Sequence, residues 1–140
     1  MVQIDKNTFL SIKTNDELAE YLGIPTSQLT FFAYSNKSFY RSFAIPKRSS
    51  NASRRIYAPV KKLKYIQRIL AETLSLIYEI PDCVHGFTKT KSTATNAAQH
   101  VRKRTVIKID IADFFPSISS GRIHGLFQSE PFNFPSEVAN

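Results

Sequence analysis

The chain has 140 residues, 42% of them hydrophobic and 21% charged, with a mean hydropathy of -0.22. That balance excludes an intrinsically disordered chain, and no apolar run reaches membrane-spanning length. Nineteen Lys and Arg against eleven Asp and Glu leave a formal net charge of +8, and the single cysteine, Cys83, excludes an internal disulfide or a cysteine-rich zinc cluster.

The N-terminal residues lack the apolar core of a signal peptide, so a reducing cytoplasm is the expected setting. Residues 21–71 hold ten Lys or Arg and no acid; residues 83–109 hold six more, again without an acid. A merely solvated surface mixes its signs. This layout points to a polyanion partner such as nucleic acid.

In chain order, Thr14 and Asn15 followed by "DELAEYLG" predict a helix with a polar cap, acids in its first turn and Gly23 as its stop. "PTSQLTFFAY" predicts a second short helix. These two resemble a helix-turn-helix, with Ala19, Gly23, Ile24 and Leu29 in place. The second helix carries no basic residue, which favours packing over DNA reading.

"SFYRSFAIP" alternates Phe39, Arg41, Phe43 and Ile45, and "RRIYAP" follows a polar turn; together they predict a β-hairpin with a basic tip. "VKKLKYIQRILAETLSLIYEI" is the strongest helix, with Leu63, Ile66, Leu70, Leu74 and Ile77 at helical spacing and Pro81 as its end. Its basic residues Lys61, Lys62, Lys64 and Arg68 crowd the first half. "STATNAAQHVRK" predicts a helix capped by Ser92 or Thr93, with Ser92, Asn96 and His100 on one face.

"TVIKIDIADFFPSIS" then predicts a strand. Ile107, Ile109 and Ile111 face one side, suited to a core; Val106, Lys108 and Asp110 face the other. A short helix follows around "SGRIHGLF". Pro135, Ser136 and Glu137 open a last helix one turn before the final residue, the pattern of a chain cut before its fold is complete.

An aspartate at the C-terminal end of an apolar strand suits Mg²⁺, which takes few carboxylates plus substrate phosphates. A turn or capping aspartate is an equally open reading of Asp110. Lys47, Arg48, Arg54 and Arg55 flank the hairpin tip and can hold a triphosphate, arginine forking onto its oxygens; a solvated tip is the alternative. Tyr40, Phe43, Tyr57 and Tyr65 lie among the basic residues, where a base can stack, although core packing is the usual role of aromatics at this spacing. His85, His100 and His124 show no metal-ligand spacing.

"FAIPKRSSNASRRIYAPVKKLKYIQRIL", "HGFTKTKSTATNAAQH" and "VIKIDIADFFPSIS", in that order and spacing, resemble the first three blocks of a bacterial reverse transcriptase, most closely the retron type. The resemblance covers about residues 38–127. It implies an α+β fold comprising the fingers and partial palm of a right-hand polymerase, truncated: an N-terminal helical region at 1–37, fingers at 38–104 and an incomplete palm at 105–140.

It further implies an RNA-directed DNA polymerase of the bacterial cytoplasm that copies a structured non-coding RNA into DNA from dNTPs with Mg²⁺. No membrane partner is implied; a missing C-terminal half is, and retron systems commonly serve phage defence. Asp110 would be the first metal-binding carboxylate, with the Ile111 carbonyl beside it. Phe115 would sit under the incoming sugar and exclude a 2′-hydroxyl. Lys47, Arg54 and Arg55 would grip the triphosphate. Lys61, Lys64, Arg68, Asn96 and His100 would face nucleic acid, and Asp113 would position the turn.

The departures are as specific. Two-metal transfer needs carboxylates that clamp both ions, supplied in this family by a Tyr-x-Asp-Asp turn, and the chain contains no Asp-Asp pair. The expected consequence is an inactive chain. The other readings are a non-catalytic RNA-binding module, half of a split polymerase, or a helix-turn-helix DNA-binding protein.

Overall fold

Capping decides where the first elements begin. The computed structural model describes residues 3–46 and 53–140. Asp5 caps a five-residue helix, α1 (Lys6–Leu10), its carboxylate accepting from the Thr8 N–H at 2.7 Å. Thr14 caps α2 (Asn15–Leu22) through a reciprocal box: its side chain accepts from Glu17 N, and the Glu17 carboxylate accepts from Thr14 N. Gly23 closes α2 in the left-handed conformation, φ 66°. α3 (Thr26–Tyr34) follows directly and packs on α2. That packing is the role the sequence favoured for the pair.

β1 (Tyr40–Pro46) and β2 (Ser53–Pro59) form one antiparallel hairpin, with Phe43 opposite Ile56 and Ile45 opposite Arg54. Phe39, just before β1, meets Phe31 and Phe32 of α3 edge-on, at ring separations of 5.2 and 4.8 Å. The hairpin is thereby stapled to the helices at its base. α4 (Lys61–Ile77) starts immediately after it. The Val60 N–H donates to the Phe39 carbonyl at 2.9 Å, and Gln67 Nε2 to the Tyr40 hydroxyl at 2.6 Å, so hairpin and helix share a fixed junction.

The core is small. Phe9 and Ile12 around α1, Tyr21 and Leu22 of α2, and Ile66 and Ile69 of α4 are buried together with Phe132 and Phe134. Each such side chain contributes about 1.5–3 kcal/mol on burial. Phe134 meets Phe9 edge-on at 5.2 Å. α6 (Ser120–Gln128) and α7 (Ser136–Ala139) flank these two phenylalanines, and Glu137 Oε1 accepts from the Asn15 N–H at the start of α2. A carboxylate suits that helix end.

Four sequence expectations are corrected. Residues 105–111 form no strand. A strand exists through its ladder, and no described segment pairs with this one. Ile107, Ile109 and Ile111 are therefore exposed rather than core, Ile109 at 85%. Tyr40, Phe43, Tyr57 and Tyr65 are exposed as well, so among the described residues these aromatics do not build the core. The helix predicted across residues 92–103 is α5 (Thr93–Ala98), capped by Ser92, so His100 lies beyond its end. α4 stops at Ile77, before Pro81 is reached.

The coarse class, α+β, stands: seven helices and one two-stranded sheet among the described residues. No helix is long and apolar enough to cross a membrane.

Candidate functional site

The basic side chains are displayed on two adjoining elements. On β2, directly opposed residues share a face, so Arg54 lies with Phe43, Ile45 and Ile56 while Arg55 lies with Ala44 and Tyr57. Both arginines are exposed. They point to opposite sides of the hairpin and engage a common ligand only from its two sides. Lys47 and Arg48 lie outside the described residues.

On α4, Lys61, Lys64 and Arg68 recur at three and four and form one exposed stripe, with Tyr65 beside it. Arg68 Nε contacts Glu72 Oε1 at 3.0 Å, an exposed pair of small energetic worth. Lys61, Lys62 and Lys64 stand in the first turn, where the helix dipole is positive and no acid balances them. Helices of ordinary proteins place acids there. The arrangement costs stability in the free protein and favours an anion at this end.

α5 begins with a second reciprocal cap, Ser92 with Thr95. Thr95 Oγ1 lies 3.0 Å from His85 Nδ1, which ties the preceding loop to the helix. Asn96 and His100 line one open hollow of about 560 Å³ together with Asp82, Cys83, His85, Lys91 and Gln99. The structure therefore brings Asn96 and His100 together although they share no helix. His85 and Lys91 join them; the residue spacing gave no sign of this, because both sit in an irregular loop.

Asp110, Ile111 and Phe115 lie in one exposed stretch. Asp113 has φ 48°, and its carbonyl accepts from Ser117 N at 3.0 Å, so the chain turns at this residue. Phe115 is 79% exposed and meets Phe114 edge-on at 5.3 Å. Asp110 and the Ile111 carbonyl are hard oxygen donors of the class Mg²⁺ takes. Among the described residues, however, no three His, Cys, Asp or Glu side chains converge. The donors present do not by themselves make a metal site.

No family model matches the chain, and no solved structure matches it. Curated proteins do. The retron Mx65 reverse transcriptase of Myxococcus xanthus is 33% identical over 127 residues, 88% of this chain and 30% of the relative. The retron Se72 reverse transcriptase of Salmonella heidelberg is 32% identical over 114 residues, 81% of this chain and 30% of the relative. The retron Ec86 reverse transcriptase of Escherichia coli is 28% identical over 131 residues, 91% of this chain and 41% of the relative. The chain spans about a third of the length of the curated relatives it matches. By these matches the chain is related to the retron reverse transcriptases, and the part it spans fits their N-terminal portion.

Proposed function

We propose that the chain is the fingers and the start of the palm of an RNA-directed DNA polymerase of the retron type. The observation that carries this reading is the match to several retron reverse transcriptases across most of the chain. Residues 38–104 act as fingers, residues 105–140 begin the palm of a right-hand fold, and residues 1–37 brace both. The substrate class is dNTPs, the template a structured RNA, and the product DNA.

Each residue has a stated part. The stripe of Lys61, Lys64 and Arg68 lies along nucleic-acid backbone, which offsets the cost of lysines at a positive helix end. Asn96 and His100, in one hollow, contact the template side. Lys47 and Arg54 hold the triphosphate, with Arg55 reaching it from the other face of the hairpin. Asp110 is one carboxylate ligand of Mg²⁺ in the whole polymerase, with the Ile111 carbonyl beside it. Phe115, a flat exposed ring, lies under the sugar and rejects a 2′-hydroxyl.

The test is binding of a structured RNA to the 140-residue chain across a salt series. Binding should weaken linearly on a logarithmic salt scale, with a slope reduced by roughly 0.7–0.9 for each phosphate contact removed. Lys61→Gln, Lys64→Gln and Arg68→Gln combined should flatten that slope. Binding that ignores salt, or that ignores all three substitutions, overturns the assignment of the stripe. The chain alone should incorporate no deoxynucleotide, because it has no Asp-Asp pair to clamp a second ion.

A further inference from the structure

Among the described residues, two hydrogen bonds join the hairpin to α4 and its cap. At the hairpin base the Val60 N–H donates to the Phe39 carbonyl at 2.9 Å, beside the ring contacts of Phe39 with Phe31 and Phe32. The other runs from Gln67 Nε2 to the Tyr40 hydroxyl at 2.6 Å. Gln67 stands about 10 Å further along the helix than Val60. One attachment is a hinge; a second, out of line with the first, fixes the angle. Both side chains are exposed, Tyr40 at 43%. Ordering a glutamine costs rotamer entropy that one bond in contact with water barely offsets. The bond therefore matters more as a constraint on direction than as a source of stability.

Its two ends stand on faces that carry cations. Gln67 follows Lys64 by three positions and so lies on the side of α4 that bears the Lys61, Lys64 and Arg68 stripe. Tyr40 opposes Pro59, and alternation then places Tyr57 and Arg55 on its face of the hairpin, with Arg54 on the other. We propose that Tyr40 and Gln67 are positioning residues for nucleic-acid binding: their bond holds the Arg55 face of the hairpin beside the α4 stripe, so that one RNA backbone engages both.

This inference rests on the assignment of the stripe to nucleic acid and deepens it. A hairpin that swings about its base presents Arg55 at many angles, and binding must then select one of them. A hairpin already fixed avoids that ordering cost, which is the gain of preorganisation. Arg55 thereby adds a phosphate contact to the stripe, beside its part in holding a triphosphate. Neither Tyr40 nor Gln67 carries a charge, so their effect on the salt dependence of binding passes through the arginine.

The test is the binding of a fluorescein-labelled RNA stem-loop to the 140-residue chain, followed by anisotropy across a salt series. Arg55→Gln should lower the salt slope by roughly 0.7–0.9, the value of one phosphate contact. Tyr40→Phe and Gln67→Leu, which alter no charge, should each lower it by a similar amount and weaken binding roughly three- to tenfold. The double variant Y40F/Q67L should bind no worse than either single one, because both substitutions break the same bond. In an Arg55→Gln background, Tyr40→Phe should have no further effect. Circular dichroism and urea midpoints of all variants should match the unsubstituted chain. Unsubstituted chain that binds the RNA without salt dependence, or not at all, refutes the assignment of the stripe and this inference with it. Normal slopes in Tyr40→Phe and Gln67→Leu refute the positioning role alone. Additive losses, which mean separate contacts of the two side chains with RNA, overturn it too, as does a loss that tracks a fall in the urea midpoint.

Discussion

The Tyr21 hydroxyl lies 2.7 Å from Thr73 Oγ1, joining α2 to α4 across 52 residues of sequence. Thr73 is fully buried, and its hydroxyl also lies 2.9 Å from the Ile69 carbonyl. Either hydroxyl can donate within the pair, and the Tyr21 hydroxyl also donates to the Asp5 carbonyl at 3.3 Å. Thr73→Val keeps the shape and removes both bonds, and should cost about 1–2 kcal/mol. Tyr21→Phe should cost about 0.5–1.5 kcal/mol. The double variant should lose less than the sum, because the second substitution removes a group already without its partner. Urea unfolding of the four proteins measures the coupling.

Asp5 gives the fold a pH dependence of known sign. Hydrogen bonds from the Thr8 N–H, and then from the Thr8 hydroxyl, hold its carboxyl below its ordinary value. The unfolded chain binds that proton more readily, so the cap contributes fully above the unfolded value and is lost as pH falls through the folded one. The Thr8 amide should therefore lose its protection on acidification before the amides of α2. In Asp5→Asn, which keeps an oxygen acceptor but no charge, that acid step should disappear. Amide exchange followed by NMR reads both, and an unchanged acid step in the variant contradicts this account.

What could be read from the residues was what their neighbours in sequence determine. α2 was legible at both ends, because Thr14 and Glu17 make a local box and Gly23 supplies a local stop. The hairpin was legible because its alternation and its turn lie within twenty residues. α1 was missed: five residues carry no helical period, and the usable sign was Asp5 three positions before Thr8. The 105–111 segment shows the opposite failure. Its alternation is real, yet a strand requires partners that alternation does not provide.

The site divided along the same line. That Lys61, Lys64 and Arg68 share a stripe follows from spacing alone, as does the separation of Arg54 from Arg55. That His85 and Lys91 stand beside Asn96 and His100 depends on how an irregular loop folds back, which no period encodes. The core was misassigned for a related reason. Phe9, Phe132 and Phe134 come from short or irregular segments, while the periodic aromatics Tyr40, Phe43 and Tyr57 remain exposed.

Asp113 sits at φ 48°, in the left-handed region that side chains other than glycine and asparagine or aspartate avoid. Asp113→Gly should leave stability unchanged or raise it by up to about 1 kcal/mol. Asp113→Val places a β-branched side chain there and should cost about 1–2 kcal/mol. Both variants delete the carboxylate equally. A backbone role thus predicts opposite outcomes for the two, and a role for the carboxylate predicts the same outcome. Thermal unfolding of the pair separates them.

Phe134 and Phe115 are the same residue type in opposite circumstances. Phe134 is 5% exposed and touches Phe9, Phe127 and Phe132, whereas Phe115 is 79% exposed and touches only Phe114 among the aromatic rings of the described residues. Phe134→Ala opens a cavity in the small core and should cost about 3–5 kcal/mol. Phe115→Ala removes a ring from water and should change stability by no more than about 0.5 kcal/mol. A side chain that does nothing for the fold is free to serve a ligand. With nucleotide present, Phe115→Ala should narrow the preference for dNTP over the matching ribonucleotide in equilibrium binding, while Phe134→Ala, where it remains folded, should not. A loss of stability in Phe115→Ala comparable to that of Phe134→Ala would assign the ring to the fold and count against the proposed nucleotide contact.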